Sequence, residues 1–279
     1  MHPRVQKRQP WYICGMKKYV FIVAIVFFGC RPANKLSRSN PGSISIEGRL
    51  FASLYQQRAA EYRALCYQAY NLARLRLDEA ILKTYAKPLA IVTDIDETVL
   101  DNSPYDVKQS LQGKEYEQKS WEQWTALSQA DTVAGGLSFL KYAASKGIKV
   151  FYITNRNETE RKGTLTNLQK FGFPDAVDEH LILKGTTSSK EARRLAVAQK
   201  YEIIMFMGDN LADFSVLFDK KNYTDRLANT DAASADFGKR FIVLPNPVYG
   251  DWEAALFNYN YGLSLAQKDS IFKTVLRSY

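Results

Sequence analysis

The segment Asp94-Ile95-Asp96-Glu97-Thr98 sets two carboxylates one residue apart, directly after a short apolar run, Leu89–Thr93. Thr154-Asn155-Arg156 follows a second apolar run, Ile148–Ile153, and Lys190 comes after a third, Leu181–Leu183. Gly208-Asp209-Asn210-Leu211-Ala212-Asp213-Phe214 follows a fourth, Ile203–Met207. Carboxylates, a hydroxyl and an ammonium in this order suit chemistry on a phosphate ester. Carboxylates repel a phosphate monoester unless a cation neutralises the field, so a carboxylate nucleophile here calls for a metal. Asp94 and Asp209 offer hard oxygen ligands for Mg²⁺, which keeps several waters and accepts phosphate oxygens. Asp94 is the candidate nucleophile, attacking phosphorus in line to form an aspartyl-phosphate. Asp96, two residues on along an extended segment, is the candidate acid for the leaving alcohol and base for water. Thr154 and Lys190 are candidates for holding phosphoryl oxygens. Asp213, four residues after Asp209, is close enough to orient the metal's shell or its waters. Each motif alone has a plain structural reading as an acidic turn, a helix start or a solvated lysine, and Lys184 competes with Lys190. The ordered set carries the assignment, because each member follows an expected strand.

The elements that must position these groups are legible from pattern. The four apolar runs, and a fifth at Phe241–Leu244, are consistent with buried parallel strands. Between them lie helical patterns. Val133–Lys146 ends at Gly147, Asn157–Phe171 ends at Gly172, and Ser188 with Glu191 has the spacing of a capping box. Strands alternating with such helices predict an α/β fold, a Rossmann-like doubly wound parallel sheet. In such sheets ligands bind beyond the carboxyl ends of the strands, where the motifs fall. Ahead of the sheet, Arg49–Lys87 lacks Gly and Pro and reads as a long helix or two, ended by Pro88. Leu50, Leu54, Tyr62, Leu65, Ala69 and Leu72 form its expected apolar face. Residues 49–87 and about 101–133 are expected to build a small, mainly helical second domain, and 88–100 with 134–260 the α/β core.

Composition excludes other chemistries. The 279 residues carry 38 Lys+Arg against 29 Asp+Glu, a formal charge of +9. Arg4, Lys7, Arg8, Lys17 and Lys18 precede residue 30 and no acidic residue does; without those five the balance is 33 to 29. The basic excess is thus largely a targeting signal, and no nucleic acid polymer is expected as partner. His180 is the one histidine beyond the leader, which leaves no imidazole cluster for a histidine nucleophile or a His-rich zinc site. It is expected on the surface, without a catalytic role. Tyr19–Phe28 is a ten-residue apolar run after Lys17-Lys18, too short to span a bilayer and suited to an export signal. Residues 1–29 read as that signal, with Met16 an alternative start, and 30–48 as a flexible Ser/Asn/Pro/Gly tether. Cys66 reads as a small core residue, and no disulfide framework is expected.

The four motifs, in this order, resemble the haloacid dehalogenase superfamily of phosphotransferases. Ile91–Tyr105 (IVTDIDETVLDNSPY) and Ile203–Phe214 (IIMFMGDNLADF) resemble the two signatures of the class C acid phosphatases, bacterial lipoprotein nonspecific phosphatases and 5′-nucleotidases. Trp121-Glu122-Gln123-Trp124, Phe151–Arg156 and Leu244–Glu253 match the same group, and the resemblance covers roughly residues 49–260. Thr93 stands where the family has a small aliphatic residue. The resemblance implies a haloacid dehalogenase-like core, a phosphatase domain over 49–279 and hydrolysis of nucleoside monophosphates and similar small esters. It implies Mg²⁺ held by Asp94, Asp209 and the backbone carbonyl of Asp96, with Asp96 favouring ester hydrolysis over dehalogenation. Trp121 and Tyr249 become candidates for an aromatic clamp on the substrate, although both also suit packing; Trp124 is assigned to packing. Gly29-Cys30 resembles a lipoprotein cleavage site, so Cys30 is the expected lipidation site and the bacterial outer membrane the expected location; an unlipidated export signal is the alternative. Two rival functions stay open, a phosphatase or phosphotransferase selective for one metabolite and a non-catalytic binding lipoprotein.

Overall fold

The apolar runs become strands because they are β-branched and aromatic, bounded by turn residues and buried on both faces. A computed structural model describes residues 42–279. The leader, Cys30 and most of the expected tether lie outside the described residues. In chain order the helices are α1 (Ile44–Arg58), α2 (Ala60–Ala80), α3 (Ser103–Leu111), α4 (Gln118–Ala126), α5 (Gly136–Ser145), α6 (Arg161–Phe171), α7 (Glu191–Lys200), α8 (Tyr223–Ala232), α9 (Asp251–Ala254) and α10 (Leu265–Val275). The strands are β1 (Leu89–Thr93), β2 (Leu100–Asp101), β3 (Asp131–Thr132), β4 (Lys149–Ile153), β5 (Leu181–Ile182), β6 (Glu202–Gly208) and β7 (Phe241–Val243).

Five strands form one parallel sheet in the order β5-β4-β1-β6-β7, while β2 and β3 make a separate antiparallel pair. The chain winds outward from β1 through β4 to β5, then returns to β6 and β7 on the other side. That reversal opens a crevice at the carboxyl ends of β1 and β6, the doubly wound arrangement expected. Alternate residues divide between two cores. Ile91, Val150, Tyr152, Met205 and Met207 pack against α2, α5 and α6 on one face. Ala90, Val92, Phe151, Ile153 and Phe206 pack against Val197 of α7 and Phe214, Phe218 and Phe241 on the other. Two expected stops hold, with Gly147 and Gly172 at φ +79° and +71° closing α5 and α6 in the left-handed conformation that favours glycine.

The N-terminal helices depart from the expected pattern. The chain breaks at Ala59, and Leu54 and Leu65 are exposed. The buried stripe of α2 is Tyr62, Cys66, Tyr70, Ala73 and Leu77, which lies on the sheet; of the expected face Tyr62 is in it and Ala69 and Leu72 pack partly buried beside it. That helix therefore belongs to the sheet's own helical layer, while α1 packs on α3 and α4 on α6. Burial pushes the Cys66 thiol up to about 11, as suits a core residue. Order also begins before residue 49, since Ser45 and Ile46 are already buried in α1 and Asp269 accepts hydrogen bonds from Ser43 Oγ and Ser45 N. His180 is not a surface residue: its ring stacks on Phe151 at 4.2 Å and its Nδ1 lies 2.7 Å from the Val150 carbonyl oxygen. Among the described residues no helix is long and apolar enough to cross a membrane.

The face that α1 turns to α3 is polar. Ser45, Ser53 and Gln56 are buried there against a helix whose own buried residues include Asp106, Gln109 and Ser110. Asp106 Oδ2 has no hydrogen-bond partner, and burial pushes this carboxyl up to about 7 against the pull of Arg49. An unfolded aspartate titrates near about 3.9, so the folded chain holds the proton more tightly. The cost to stability therefore grows as pH rises from about 4 and is fully present above about 7, reaching at most about 4 kcal/mol. Asp106→Asn removes that titration. Its melting temperature is expected to match the parent near pH 4 and to exceed it by several degrees at pH 8; a pH-independent difference contradicts this.

Candidate active site

Asp94 leaves β1 with its amide donating to the Met207 carbonyl at 2.8 Å, so the strands before the first and fourth motifs end side by side. Asp94, Asp209 and Asp213 each present a carboxylate oxygen within 4.8 Å of the others. Lys190, at the start of α7, reaches into this cluster, with Nζ 2.5 Å from Asp94 Oδ1 and 2.6 Å from Asp213 Oδ1. Burial pushes the carboxyls of Asp94 and Asp209 upward, and Asp213 adds its repulsion to both. Burial works against the ammonium of Lys190, yet the carboxylates of Asp213 and Asp94 outweigh it and hold its pKa above the ordinary value. One ammonium among three carboxylates, two of them buried, leaves an excess of negative charge, and the donors are hard oxygens. This donor set fits Mg²⁺.

Local sequence explains the convergence. Asn210 and Asp213 form a reciprocal cap, Asn210 N donating to Asp213 Oδ2 at 3.1 Å, which folds Asp213 back against the end of β6. Asp209 receives Asn246 Nδ2 at 2.7 Å and the Thr98 hydroxyl at 3.3 Å. Gly208 is required by close approach, since a Cβ there would lie 2.4 Å from Asp213 Oδ2. Gly208→Ala is expected to weaken Mg²⁺ affinity about ten- to a hundredfold through Asp213. The check is the Mg²⁺ concentration needed to raise the melting temperature, and an unchanged value contradicts it.

Asp96 sits apart from that cluster. Arg156, 2% exposed, places Nη2 2.7 Å and Nε 3.1 Å from Asp96 Oδ1. Asn102 Nδ2 donates to the same oxygen at 2.8 Å, and the Thr154 hydroxyl lies 3.4 Å from Oδ2. Burial opposes the charge of Arg156, but Asp96 outweighs it and raises its pKa. The next residue, Glu97, adopts φ +55°, a conformation that costs a side-chain-bearing residue about 1 kcal/mol. It is held there by Asn102 N, which donates to Oε1 at 2.7 Å, and by the Tyr249 hydroxyl, which donates to Oε2. Thr93, despite its polarity, is satisfied, its hydroxyl donating to the Asp94 carbonyl at 2.8 Å.

Every motif residue singled out by sequence therefore lies at the carboxyl edge of the sheet, in two groups. Asp94, Asp209, Asp213 and Lys190 form one; Asp96 and Thr154 stand in the other. Tyr249 hangs over the second group through Glu97. Trp121 is buried edge-on against Tyr105 at 5.1 Å, with the Arg156 guanidinium 5.7 Å from its ring centroid. The more exposed aromatic beside it is Tyr116, 6.0 Å from Trp121. Sequence reasoning passed over Tyr116, Asn102, Glu97 and Asn246 and named Arg156 only as part of its motif, without a partner. Asn102 and Glu97 lie inside the first motif stretch and Asn246 inside Leu244–Glu253, so their positions were visible although their contacts were not.

The profile of HAD superfamily, subfamily IIIB (Acid phosphatase) matches residues 47–252. The class C acid phosphatase from Bacillus anthracis superposes with a TM-score of 0.82 at 43% identity, covering 85% of this chain and 99% of that one. Its tungstate-bound form gives the same figures, 0.82 and 43%. Acid phosphatase 1 of Solanum lycopersicum is 28% identical over 166 residues. The Stem 31 kDa glycoprotein of Glycine max is 28% identical over 161 residues. The chain spans 57% of the length of each of these two curated relatives.

Proposed function

Since the chain belongs to HAD superfamily subfamily IIIB, the acid phosphatases, we propose that it hydrolyses small phosphate monoesters through a phosphorylated Asp94. One observation carries this reading: two carboxylates a residue apart occupy opposite electrostatic settings. Asp94 faces other carboxylates and Lys190, whereas Asp96 is held by Arg156, Asn102 and Thr154. A cation held by the carboxylate cluster would keep Asp94 ionised as the nucleophile, leaving the Asp96 side chain, outside that cluster, as the group that exchanges a proton with the leaving oxygen. The tungstate captured by the Bacillus anthracis relative, a tetrahedral oxyanion, adds support for a phosphate-shaped site.

Asp94, Asp209 and the Asp96 carbonyl would hold Mg²⁺, with Asp213 orienting its waters; when bound, the ion supplies positive charge for the phosphoryl oxygens. Lys190 and Thr154 bind those oxygens from the protein side. The Asp94 carboxylate attacks phosphorus, the P–O bond to the alcohol breaks, and protonated Asp96 gives its proton to the leaving oxygen. Asp96 then takes a proton from water, whose oxygen attacks phosphorus, releasing phosphate and restoring the Asp94 carboxylate. Tyr116, Trp121 and Tyr249 give the site aromatic walls, which supports nucleoside monophosphates as substrates, because stacking tolerates many rings.

The test is phosphate release from AMP, nicotinamide mononucleotide, 4-nitrophenyl phosphate and glycerol phosphate, with Mg²⁺ and with EDTA. All four are expected to be hydrolysed with Mg²⁺, the ring-bearing esters at higher kcat/KM. Hydrolysis of one ester alone supports a metabolite-selective enzyme, and no release from any supports a binding protein. The leader supports a further placement: export and lipidation at Cys30, which would hold the domain on a bacterial outer membrane.

A further inference from the structure

Asn102 is fully buried, and every polar atom of its side chain is committed. Its Nδ2 donates to Asp96 Oδ1 at 2.8 Å and lies 3.4 Å from Glu97 Oε2. Its Oδ1 accepts from Trp124 Nε1 at 2.9 Å and lies 3.4 Å from Arg156 Nη2. A carboxamide has two orientations, and only one puts its N–H groups on Asp96. In the other, the amide oxygen would face two carboxylates and the NH₂ would face two donors. The indole N–H is a donor that never accepts, and at 2.9 Å it joins Arg156 and the two carboxylates in fixing the choice. Trp124 thus does more than pack. We infer that Trp124 is a positioning residue for Asp96, acting through the Asn102 amide on the oxygen that Arg156 also grips.

This deepens the proposed mechanism and rests on its assignment of Asp96 as the acid. It links α4, which carries Trp121 and Trp124, to proton transfer at the leaving group. With Oδ1 set by Arg156 and Asn102, the other oxygen, Oδ2, lies 3.3 Å from Arg156 Nε and 3.4 Å from the Thr154 hydroxyl and is the one left to carry the proton. Loosening one donor lets the carboxyl rotate, which harms the step that delivers a proton more than the binding of phosphate.

The experiment compares kcat/KM for benzyl phosphate and 4-nitrophenyl phosphate, esters of similar size and aromaticity. Benzyl alcohol departs only with a proton, whereas 4-nitrophenolate departs without one. The ratio within one variant does not depend on how much of the protein is folded. Asp96→Asn, the reference, is expected to lower the benzyl ester far more than the nitrophenyl ester. Trp124→Phe, which removes the N–H and keeps an aromatic ring, is expected to lower the benzyl ester about tenfold and the nitrophenyl ester less than about twofold, with KM nearly unchanged. Asn102→Asp keeps the acceptor for Trp124 and removes the donor to Asp96, so it should show the same selectivity. The double variant should be little worse than Asn102→Asp alone, because the two residues act in series. Equal losses on both esters in Trp124→Phe, or none, overturn the inference while Asp96→Asn stays selective. An unselective Asp96→Asn instead overturns the acid role itself, and the inference falls with it.

Discussion

Asp94→Asn is expected to lower phosphate release by about 10⁴-fold or more and, in Mg²⁺-free buffer, to raise the melting temperature by a few degrees. The two effects share one cause. Asparagine has nearly the volume of aspartate and fits the same place after β1, but its amide is a poor nucleophile. Activity falls because no covalent step can begin. Stability rises because Asp94 is buried and repelled by Asp213 and Asp96, and Lys190 only partly offsets this. Removing its charge leaves Lys190 paired with Asp213 at 2.6 Å, so no buried cation is stranded. Activity and differential scanning calorimetry on the same sample check both halves. A variant that loses activity and also melts lower would mean that Asp94 contributes more to packing than it costs in repulsion.

Removal of divalent cations by EDTA is expected to lower activity by at least about 10³-fold, with recovery on adding Mg²⁺. The carboxylates of Asp94, Asp209 and Asp213 exceed the one ammonium facing them, so an added cation should bind and stabilise the fold. At a hundredfold excess over Kd the gain is about 2.7 kcal/mol, enough to move the melting temperature by several degrees. Asp209→Asn tests the same site from the protein side. Its carboxyl is pushed well up by burial and by Asp213 and Asp94, so its neutralisation should stabilise the metal-free protein. The variant should also lose most of the Mg²⁺-induced shift and most of its activity. Full activity in EDTA, or an undiminished Mg²⁺ shift in Asp209→Asn, contradicts this placement of the ion.

The sheet was legible in the sequence because its strands are buried on both faces. Continuous apolar runs such as Leu89–Thr93 and Ile203–Met207 leave little choice but the interior, and each is followed by its motif. Helix ends were legible where glycine marks a left-handed residue, as at Gly147 and Gly172. They were not legible at Ser188, where the helix starts three residues later, at Glu191, and Lys190 takes the cap position so that its side chain reaches Asp94. α1 misled because it buries a polar stripe against α3, and a search for apolar periodicity favours Leu54, which faces outward; on α2 the same search picks Tyr62 correctly but also the exposed Leu65. In the site, one-dimensional order located Asp94, Asp96, Lys190, Asp209 and Asp213, since they follow the ends of three strands, β1, β5 and β6. Arg156 on Asp96 and the Trp124–Asn102 hydrogen bond are contacts across 60 and 22 residues, set by side-chain geometry that spacing does not encode.

Phosphorylation of Asp94 itself is the most direct test of the mechanism. Asp96→Asn with 4-nitrophenyl phosphate and Mg²⁺ removes the base for the second step while keeping a leaving group that needs no acid, so the covalent form should accumulate. Acid quenching followed by peptide mass mapping should find one phosphoryl group on the peptide containing Asp94, matched by a burst of one nitrophenolate per protein. The same adduct should be absent when Asp94→Asn is added. A nitrophenolate burst without an adduct on that peptide, or a phosphoryl group on any other residue, would contradict Asp94 as the nucleophile.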